Sequence, residues 1–356
     1  MRGLSNVLLL LASTFAGLVT AQVGPGVVTG NVNVHDPTIC KDNSGKYFLF
    51  STAPGIEIRT STDRTAWTFV GKVWPNGASW TETYTGASNA SVSLLLAPKF
   101  VARTHLGSTV YVGIFGPLNA TTATDSSMQV LNVTCSRMTN DGFNVPLQLY
   151  YSASSFGSQK SATFLAKSST GAPGSFSNQG QVYATSTSSN FNSIDPNLFV
   201  ENGNWYLSLG SFWSGIKMLT VSPSTGKPTN SNLYSLANRP NNGGAVEASS
   251  IYKYGNYYYL FTSWDKCCQG TSSTYNIRVG RSTSVTGGYK DKNGVDLTAG
   301  GGTLVLGTHG SVVGPGGQDV FTDGDGPILV YHYYTSSGSK LGINRLDFSS
   351  GWPVVA

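Results

Sequence analysis

The sequence predicts an all-β protein folded as a five-bladed β-propeller, and three observations carry that expectation. Helical periodicity is almost absent after residue 22, where short aromatic and β-branched runs alternate with Gly-, Asn- and Asp-rich turns. A short turn-and-strand phrase recurs five times, each time ahead of such a run. The composition suits a turn-rich folded chain: 356 residues hold 43 glycines and 15 prolines, with 39% apolar and 11% charged side chains. So few charges with so many aromatics exclude a disordered tail protein, and the glycines lack the three-residue period of collagen. The net charge of +5 comes without any Lys/Arg run, so no nucleic-acid partner is expected.

Taken in order, residues 1–21 read as a secretory signal peptide. Arg2 supplies the positive start, Val7–Ala12 the apolar run, and Val19-Thr20-Ala21 the small residues before Gln22. Ser13, Thr14 and Gly17 interrupt the stretch well short of the roughly 20 residues a membrane span needs, so no membrane association is expected. Residues 22–356 then form one catalytic domain. Predicted strands lie at Tyr47–Ser51, Thr109–Phe115, Gln148–Ala153, Asn204–Leu209, Tyr257–Ser263 and Ile328–Tyr334. Asn43-Ser44-Gly45-Lys46 and Glu201-Asn202-Gly203-Asn204 have the composition of hairpin tips.

The recurring phrase decides between a sandwich and a propeller. It reads His35-Asp36-Pro37, Ala97-Pro98-Lys99, Ile194-Asp195-Pro196, Val246-Glu247-Ala248 and Gly314-Pro315-Gly316-Gly317-Gln318-Asp319. Measured at residues 36, 98, 195, 247 and 316, the spacings are 62, 97, 52 and 69 residues. The long interval contains Pro117–Pro146, a Thr/Asn-rich stretch expected to be a surface insertion. Each phrase would open the innermost strand of one blade and turn its polar residue towards the axis. One Asp-Pro is merely a turn dipeptide; two of them plus Glu-Ala at blade-like spacing point to a shared site.

That site would hold Asp36, Asp195 and Glu247. A chain with 17 acidic residues has little structural reason to gather three, because clustered carboxylates repel. Glycoside hydrolysis does need the arrangement: one carboxylic acid protonates the leaving oxygen and one carboxylate activates water or attacks carbon. A third carboxylate can hold the acid protonated near working pH. Trp74, Trp80, Phe156, Trp213, Trp264 and Tyr333 offer flat rings for sugar faces, and about a third of them are expected to touch ligand. His332 lies within an aromatic strand, where a satisfied core histidine is the ordinary reading. Sequons at Asn89, Asn119 and Asn132 behind a signal peptide predict a secreted glycoprotein. Cys40, Cys135, Cys267 and Cys268 allow two disulfides in three connectivities, and their spacing fits no structural zinc site.

As an ordered set, the segments resemble glycoside hydrolase family 43. They are Val34-His35-Asp36-Pro37, Ser155-Phe156-Gly157-Ser158, Ile194-Asp195-Pro196, Gly210–Ile216, Val246-Glu247-Ala248, Cys267-Cys268-Gln269-Gly270, Val279–Ser282, Gly301-Gly302-Thr303 and Tyr331-His332-Tyr333-Tyr334. The resemblance runs from about Gly30 to Pro353 and is nearer to the arabinan-degrading branch. It implies inverting hydrolysis of α-1,5-linked arabinofuranose chains, with Asp36 as general base and Glu247 as general acid. Asp195 would orient the substrate and tune the acid. His35, Phe156, Trp213 and Trp80 are the expected substrate contacts. The implied partner is arabinan, a pectin side chain of plant cell walls, met outside the cell by a monomeric enzyme. An exo-acting arabinanase or arabinofuranosidase, and a non-catalytic carbohydrate-binding propeller, are the alternatives.

Two departures from the family pattern stand out. The second unit reads Leu96-Ala97-Pro98-Lys99 where relatives carry Trp-Ala-Pro-Asp. The fifth has Gly317-Gln318 where relatives carry Gly-Pro-Gly-His, a histidine near a bound metal ion. No cofactor and no metal ligand are therefore expected here, with calcium held through waters and carbonyls as the alternative.

Overall fold

The structure is a computed structural model and describes residues 22–86 and 147–356. The signal peptide, the three sequons, Cys135, the phrase Ala97-Pro98-Lys99, the predicted strand Thr109–Phe115 and the insertion Pro117–Pro146 lie outside these residues. Five antiparallel sheets form the blades of a β-propeller, joined in sequence order. Blade I contains Thr38–Lys41, Tyr47–Ser51, Glu57–Ser61 and Ala66–Lys72. The described part of blade II is Leu147–Ala153, Ser161–Ser168 and Ser177–Thr185. Blade III is Asn197–Glu201, Asn204–Leu209, Ile216–Val221 and Tyr234–Ala237. Val246–Tyr254, Tyr257–Trp264, Asn276–Ser282 and Thr303–Leu306 make blade IV. Val313–Asp323, Gly326–Thr335, Gly338–Asp347 and Val354–Val355 make blade V.

The expected strands within the described residues are all present, to within one or two residues at either end. Asn202 and Gly203 both take positive φ, 49° and 77°, and make the two-residue turn between Asn197–Glu201 and Asn204–Leu209. Positive φ at both central residues is what matches the turn to the twist of its strands.

Blades are buried on both faces, so their middle strands are apolar at almost every position rather than at every second one. Alternation still assigns each side chain to one neighbour. Phe48 and Phe50 pack with Leu149, Tyr151 and Phe164 between blades I and II. Leu49, one step along, faces Ile328 and Val330 of blade V. Tyr150 and Leu165 meet Leu207 and Leu219 between blades II and III. Met218 meets Leu260, and Tyr259 and Phe261 meet Leu329 and Tyr331, to complete the round. Each core is thus a contact between neighbouring blades, which leaves the axis to polar residues.

The ring is closed by residues 24–32. Thr29–Gly30 pairs in parallel with the outer strand of blade I at Ala66 and Trp67. The same segment bonds to blade V, where Gly26 N–H donates to Ile343 O and Leu341 N–H to Val32 O, each at 2.9 Å. On the blade I–V seam, the Arg64 guanidinium pairs with Asp323 and Asp325, and Tyr47 Oη donates to Asp323 at 2.7 Å. No helix among the described residues is long and apolar enough to cross a membrane.

Candidate active site

The three acids stand where innermost strands begin. Asp36 precedes Thr38–Lys41, Asp195 precedes Asn197–Glu201, and Glu247 is the second residue of Val246–Tyr254. A following proline closes the right-handed helical well to Asp36 and Asp195. Both adopt left-handed φ, 44° and 59°, as do Phe212 at 56° and Trp213 at 46° on the facing loop. Such conformations cost non-glycine residues roughly 1–3 kcal/mol each and gather at functional sites.

These residues line one cleft of about 490 Å³, within the range of small-ligand sites. His35, Asp36, Asp195, Glu247, Phe156 and Trp213 all face it, with Asn192, Ser211, Lys266, Cys267, Gln269 and Tyr275. Phe156 is 72% exposed and Trp213 39%, unusual for large rings and suited to stacking on a ligand. They are two of the six aromatics considered above. Trp80 is not among the residues lining this cleft. It lies on the turn Ser79–Thr81, partly exposed, with its indole N–H donating to Tyr151 Oη at 2.9 Å and its ring edge-on to Trp74 at 4.9 Å. Trp74 and Trp264 are buried, Trp264 between the guanidinium groups of Arg239 and Arg278, and Tyr333 packs against the blade IV–V core.

The carboxyl groups have opposite electrostatic environments. Burial alone would raise Asp36, but His35 outweighs it by charge and by a 2.7 Å hydrogen bond from Nδ1 to Oδ2. The Thr52 hydroxyl adds a bond at 3.1 Å, and the net shift is downward. Glu247 is shifted upward, by burial first and by the Asp36 charge. The Ser211 hydroxyl on Oε2 at 2.6 Å and the Tyr275 hydroxyl on Oε1 at 2.7 Å oppose that shift without cancelling it. Asp195 is pushed well above the usual carboxylate range by burial and by the charges of Glu247 and Asp36. One of its oxygens accepts the Ala248 N–H at 2.7 Å, and Oδ1 is buried with no hydrogen-bond partner among the described residues. A buried polar atom left unpaired in a cleft wall is a place for a ligand hydroxyl. The two environments thus push the carboxyls apart, Asp36 towards the ionised form and Glu247 towards the protonated one, the division that general acid–base chemistry uses.

His332 is fully buried, as expected, yet it belongs to the floor of this site. Its ring stacks on His35 with centroids 4.0 Å apart, and its Nδ1 accepts the Asp36 N–H at 3.0 Å. Sequence reasoning missed Tyr275 and Thr52 as partners of the acids, and nothing in their local sequence marks them. Ser211 was within reach, since it lies in the quoted run Gly210–Ile216. Cys267 and Cys268 stand side by side at the cleft, Cα–Cα 3.8 Å, with their sulfurs placed for a vicinal disulfide.

The described residues do not fit a metal ion at the axis. His35, Asp36 and His332 are close enough to share one. However, His35 Nδ1 is bonded to Asp36 and His35 Nε2 to Tyr334 Oη. His332 Nδ1 is bonded to the Asp36 N–H and its Nε2 to the same Tyr334 Oη. No imidazole lone pair is left over. A Cβ on Gly317 would lie 2.2 Å from Asp36 Oδ1 and 2.8 Å from His332 Nδ1, so no side chain enters from there. Gln318 spends its amide on Ala248 O and on the Ser263 hydroxyl. Asp319 is buried and committed to Thr38, Ser250 and the Ile39 N–H, tying blade V to blades I and IV.

Comparison with known proteins places this geometry. The model of the family "Glycosyl hydrolases family 43" matches residues 148–353. The chain is 38% identical to a probable arabinan endo-1,5-alpha-L-arabinosidase A of Aspergillus clavatus, across 96% of each chain. It is 37% identical to the extracellular endo-alpha-(1->5)-L-arabinanase 1 of Bacillus subtilis, across 96% of this chain and 95% of that one. The solved structure of a GH43 endo-arabinanase from Bacillus licheniformis superposes with a TM-score of 0.73 at 36% identity, covering 92% of this chain and 99% of the other. The propeller, its acid-lined cleft and these matches agree: the chain belongs to glycosyl hydrolases family 43 and is a glycoside hydrolase.

Proposed function

We propose that the chain cleaves α-1,5-linked L-arabinofuranose chains (arabinan) internally, with inversion at the anomeric carbon. Asp36 serves as general base, Glu247 as general acid, and Asp195 orients a sugar hydroxyl through Oδ1 while its proximity helps keep Glu247 protonated. The observation that carries the reading is the opposite displacement of two buried carboxyls in one cleft, Asp36 downward and Glu247 upward. Ionised Asp36 removes a proton from water as the water attacks the anomeric carbon. Glu247 delivers its proton to the departing glycosidic oxygen, so the enzyme ends the turnover with the two protonation states exchanged. Phe156 and Trp213 give the sugar rings apolar faces, and His35 lines the same cleft. The names borne by the relatives support arabinan as substrate and endo action.

The Arg2-led apolar start supports export with residues 1–21 as leader and 22–356 as the working domain, with glycans at Asn89, Asn119 and Asn132. Bonding of the adjacent Cys267 and Cys268 fits the same compartment. The polysaccharide would be the arabinan of pectin side chains, met by a monomer. Digestion of linear arabinan decides the mode: a ladder of mixed oligomers is expected, and one small product from the outset would establish exo action. Proton NMR of the first product reads the anomer, and retention would overturn inversion.

A further inference from the structure

The hydroxyl of Tyr334 is the meeting point of the groups beneath Asp36. It lies 2.8 Å from the Cys268 N–H, 3.0 Å from His35 Nε2 and 3.1 Å from His332 Nε2. Counting protons fixes the direction of every bond. The Asp36 N–H can only donate, so His332 Nδ1 accepts and carries no proton. Burial and the neighbouring His35 hold His332 neutral, its pKa lowered to about 3, so its single proton sits on Nε2 and points at Tyr334. Tyr334 oxygen therefore receives the His332 Nε2–H and the Cys268 N–H, with the Ser273 side chain bonded to it as well. Two acceptors lie within reach of its own proton, His35 Nε2 at 3.0 Å and Cys268 Sγ at 4.0 Å, and the nearer nitrogen is the stronger one. His35 must then carry its proton on Nδ1, and that proton points at Asp36 Oδ2.

We propose that Tyr334 is a positioning residue for hydrolysis: its hydroxyl closes a one-way ring of hydrogen bonds that holds His35 and His332 in opposite tautomers around Asp36. The Cys267–Cys268 turn, with Cys268 at φ 65°, presents the amide that keeps this hydroxyl in place. The ring has a consequence for the base. Oδ2 of Asp36 is committed to His35 and Thr52, while Oδ1 lies over Gly317 and 3.4 Å from His332 Nδ1. The two imidazoles thus fix the plane of the carboxylate. Reversal of the His35 tautomer would set a lone pair against Oδ2 and turn the carboxylate. An extra proton on His35 would set its Nε2–H against the Tyr334 hydroxyl proton. His35 is the group that gains that proton on acidification: burial lowers its pKa, but Asp36 by charge and hydrogen bond, with Glu247 behind it, raises it above the ordinary value. The other polar groups around it are His332, Tyr334 and, across the cleft, Tyr275 and Lys266.

The inference rests on Asp36 as the base, so Asp36→Asn is measured alongside. The direct test is nitrogen-15 NMR of histidine-labelled protein, with His105 and His309 changed to Gln so that two imidazoles remain. Above the pH at which His35 gives up its second proton, one neutral ring protonated on Nδ1 and one protonated on Nε2 are expected; two rings of the same tautomer would overturn the ring of bonds. In the second arm, Tyr334→Phe should lower kcat about tenfold with KM within about twofold, the effect of one lost charge-linked hydrogen bond. It should also move the acid limb of the pH profile and scramble the tautomers. Wild-type kcat and profile in a folded Tyr334→Phe, with Asp36→Asn inactive, would overturn the positioning role and leave the base assignment standing. An active Asp36→Asn would remove the base assignment itself. Should Tyr334→Phe fail to fold, the wild-type tautomers decide.

Discussion

Tyr275→Phe removes one oxygen from the neighbourhood of the proton donor and leaves the packing in place. The Tyr275 ring lies against the backbone of Gly316, where an added Cβ would stand 2.0 Å from Cδ1, so keeping the ring is essential to the comparison. In the native site the Tyr275 hydroxyl donates to Glu247 Oε1 at 2.7 Å and Ser211 donates to Oε2 at 2.6 Å. Both bonds favour the ionised form, and removing one must raise the pKa of Glu247 further. A hydrogen bond to a charged group is worth about 1.5–3 kcal/mol, and one pKa unit corresponds to about 1.4 kcal/mol. The full effect would be about 1–2 units. Tyr275 can also accept from protonated Glu247, which reduces the difference between the two states, so a rise of about 1 unit is expected. Activity is lost as pH rises through the pKa of the proton donor. The basic limb of kcat/KM should therefore move to higher pH by about 1 unit, while the acid limb, set by Asp36, stays. The assay is hydrolysis of linear arabinan across the pH range, with a melting curve to show that the variant is folded. A basic limb that stays put, or moves downward, in folded Tyr275→Phe would refute the reasoning.

Asp36→Asn should reduce turnover on arabinan by about 10²–10⁴-fold with melting little changed, since the volume is conserved and only the base is lost; near-native turnover in a pure sample would remove Asp36 from that role. Glu247→Gln should slow arabinan strongly and an activated aryl arabinoside much less, because a good leaving group needs little protonation, and equal losses on both would count against Glu247 as donor. Prolonged dialysis against a chelator should leave rate and melting temperature unchanged, as Gln318 is bonded to Ser263 and Ala248 and both imidazoles to Tyr334; activity that falls and returns with calcium would reverse that conclusion.

Much of the site was legible in the sequence because the chemistry repeats with the fold. Asp36, Asp195 and Glu247 could be found because each opens an innermost strand, so a position in the repeat became a position at the axis. What alternation predicts also came through: Phe48 and Phe50 serve one neighbour and Leu49 the other. The left-handed φ of Asp36 and Asp195 was not legible, since proline after them closes one region without choosing another. Tyr275 and Thr52 were hidden for a different reason. They reach the acids from other strands and loops, and no local pattern encodes a hydroxyl that arrives through tertiary packing. An indole in a loop looks alike in sequence whether it meets a sugar or bonds Tyr151, as that of Trp80 does. At Gly316 and Asp319 the register of the inner strand of blade V shifts, so simple alternation could not place Gly317 and Gln318.

The closure of the ring by residues 24–32 fixes an order of events in folding. Blades III and IV and the described strands of blade II are built from hairpins whose partners are near in sequence, and each can form as soon as its strands exist. The seam between blades V and I is different. Gly26 and Val32 bond with Ile343 and Leu341, and Arg64 pairs with Asp323 and Asp325, across some of the longest sequence separations in the molecule. Contacts of that kind carry the largest loop-closure cost and form late. During synthesis the proposed base therefore waits beside an open flank: Asp36 emerges early, while His332 and Tyr334, which complete its surroundings, arrive with the final blade. A truncation in blade V is expected to abolish activity without touching any of the three acids.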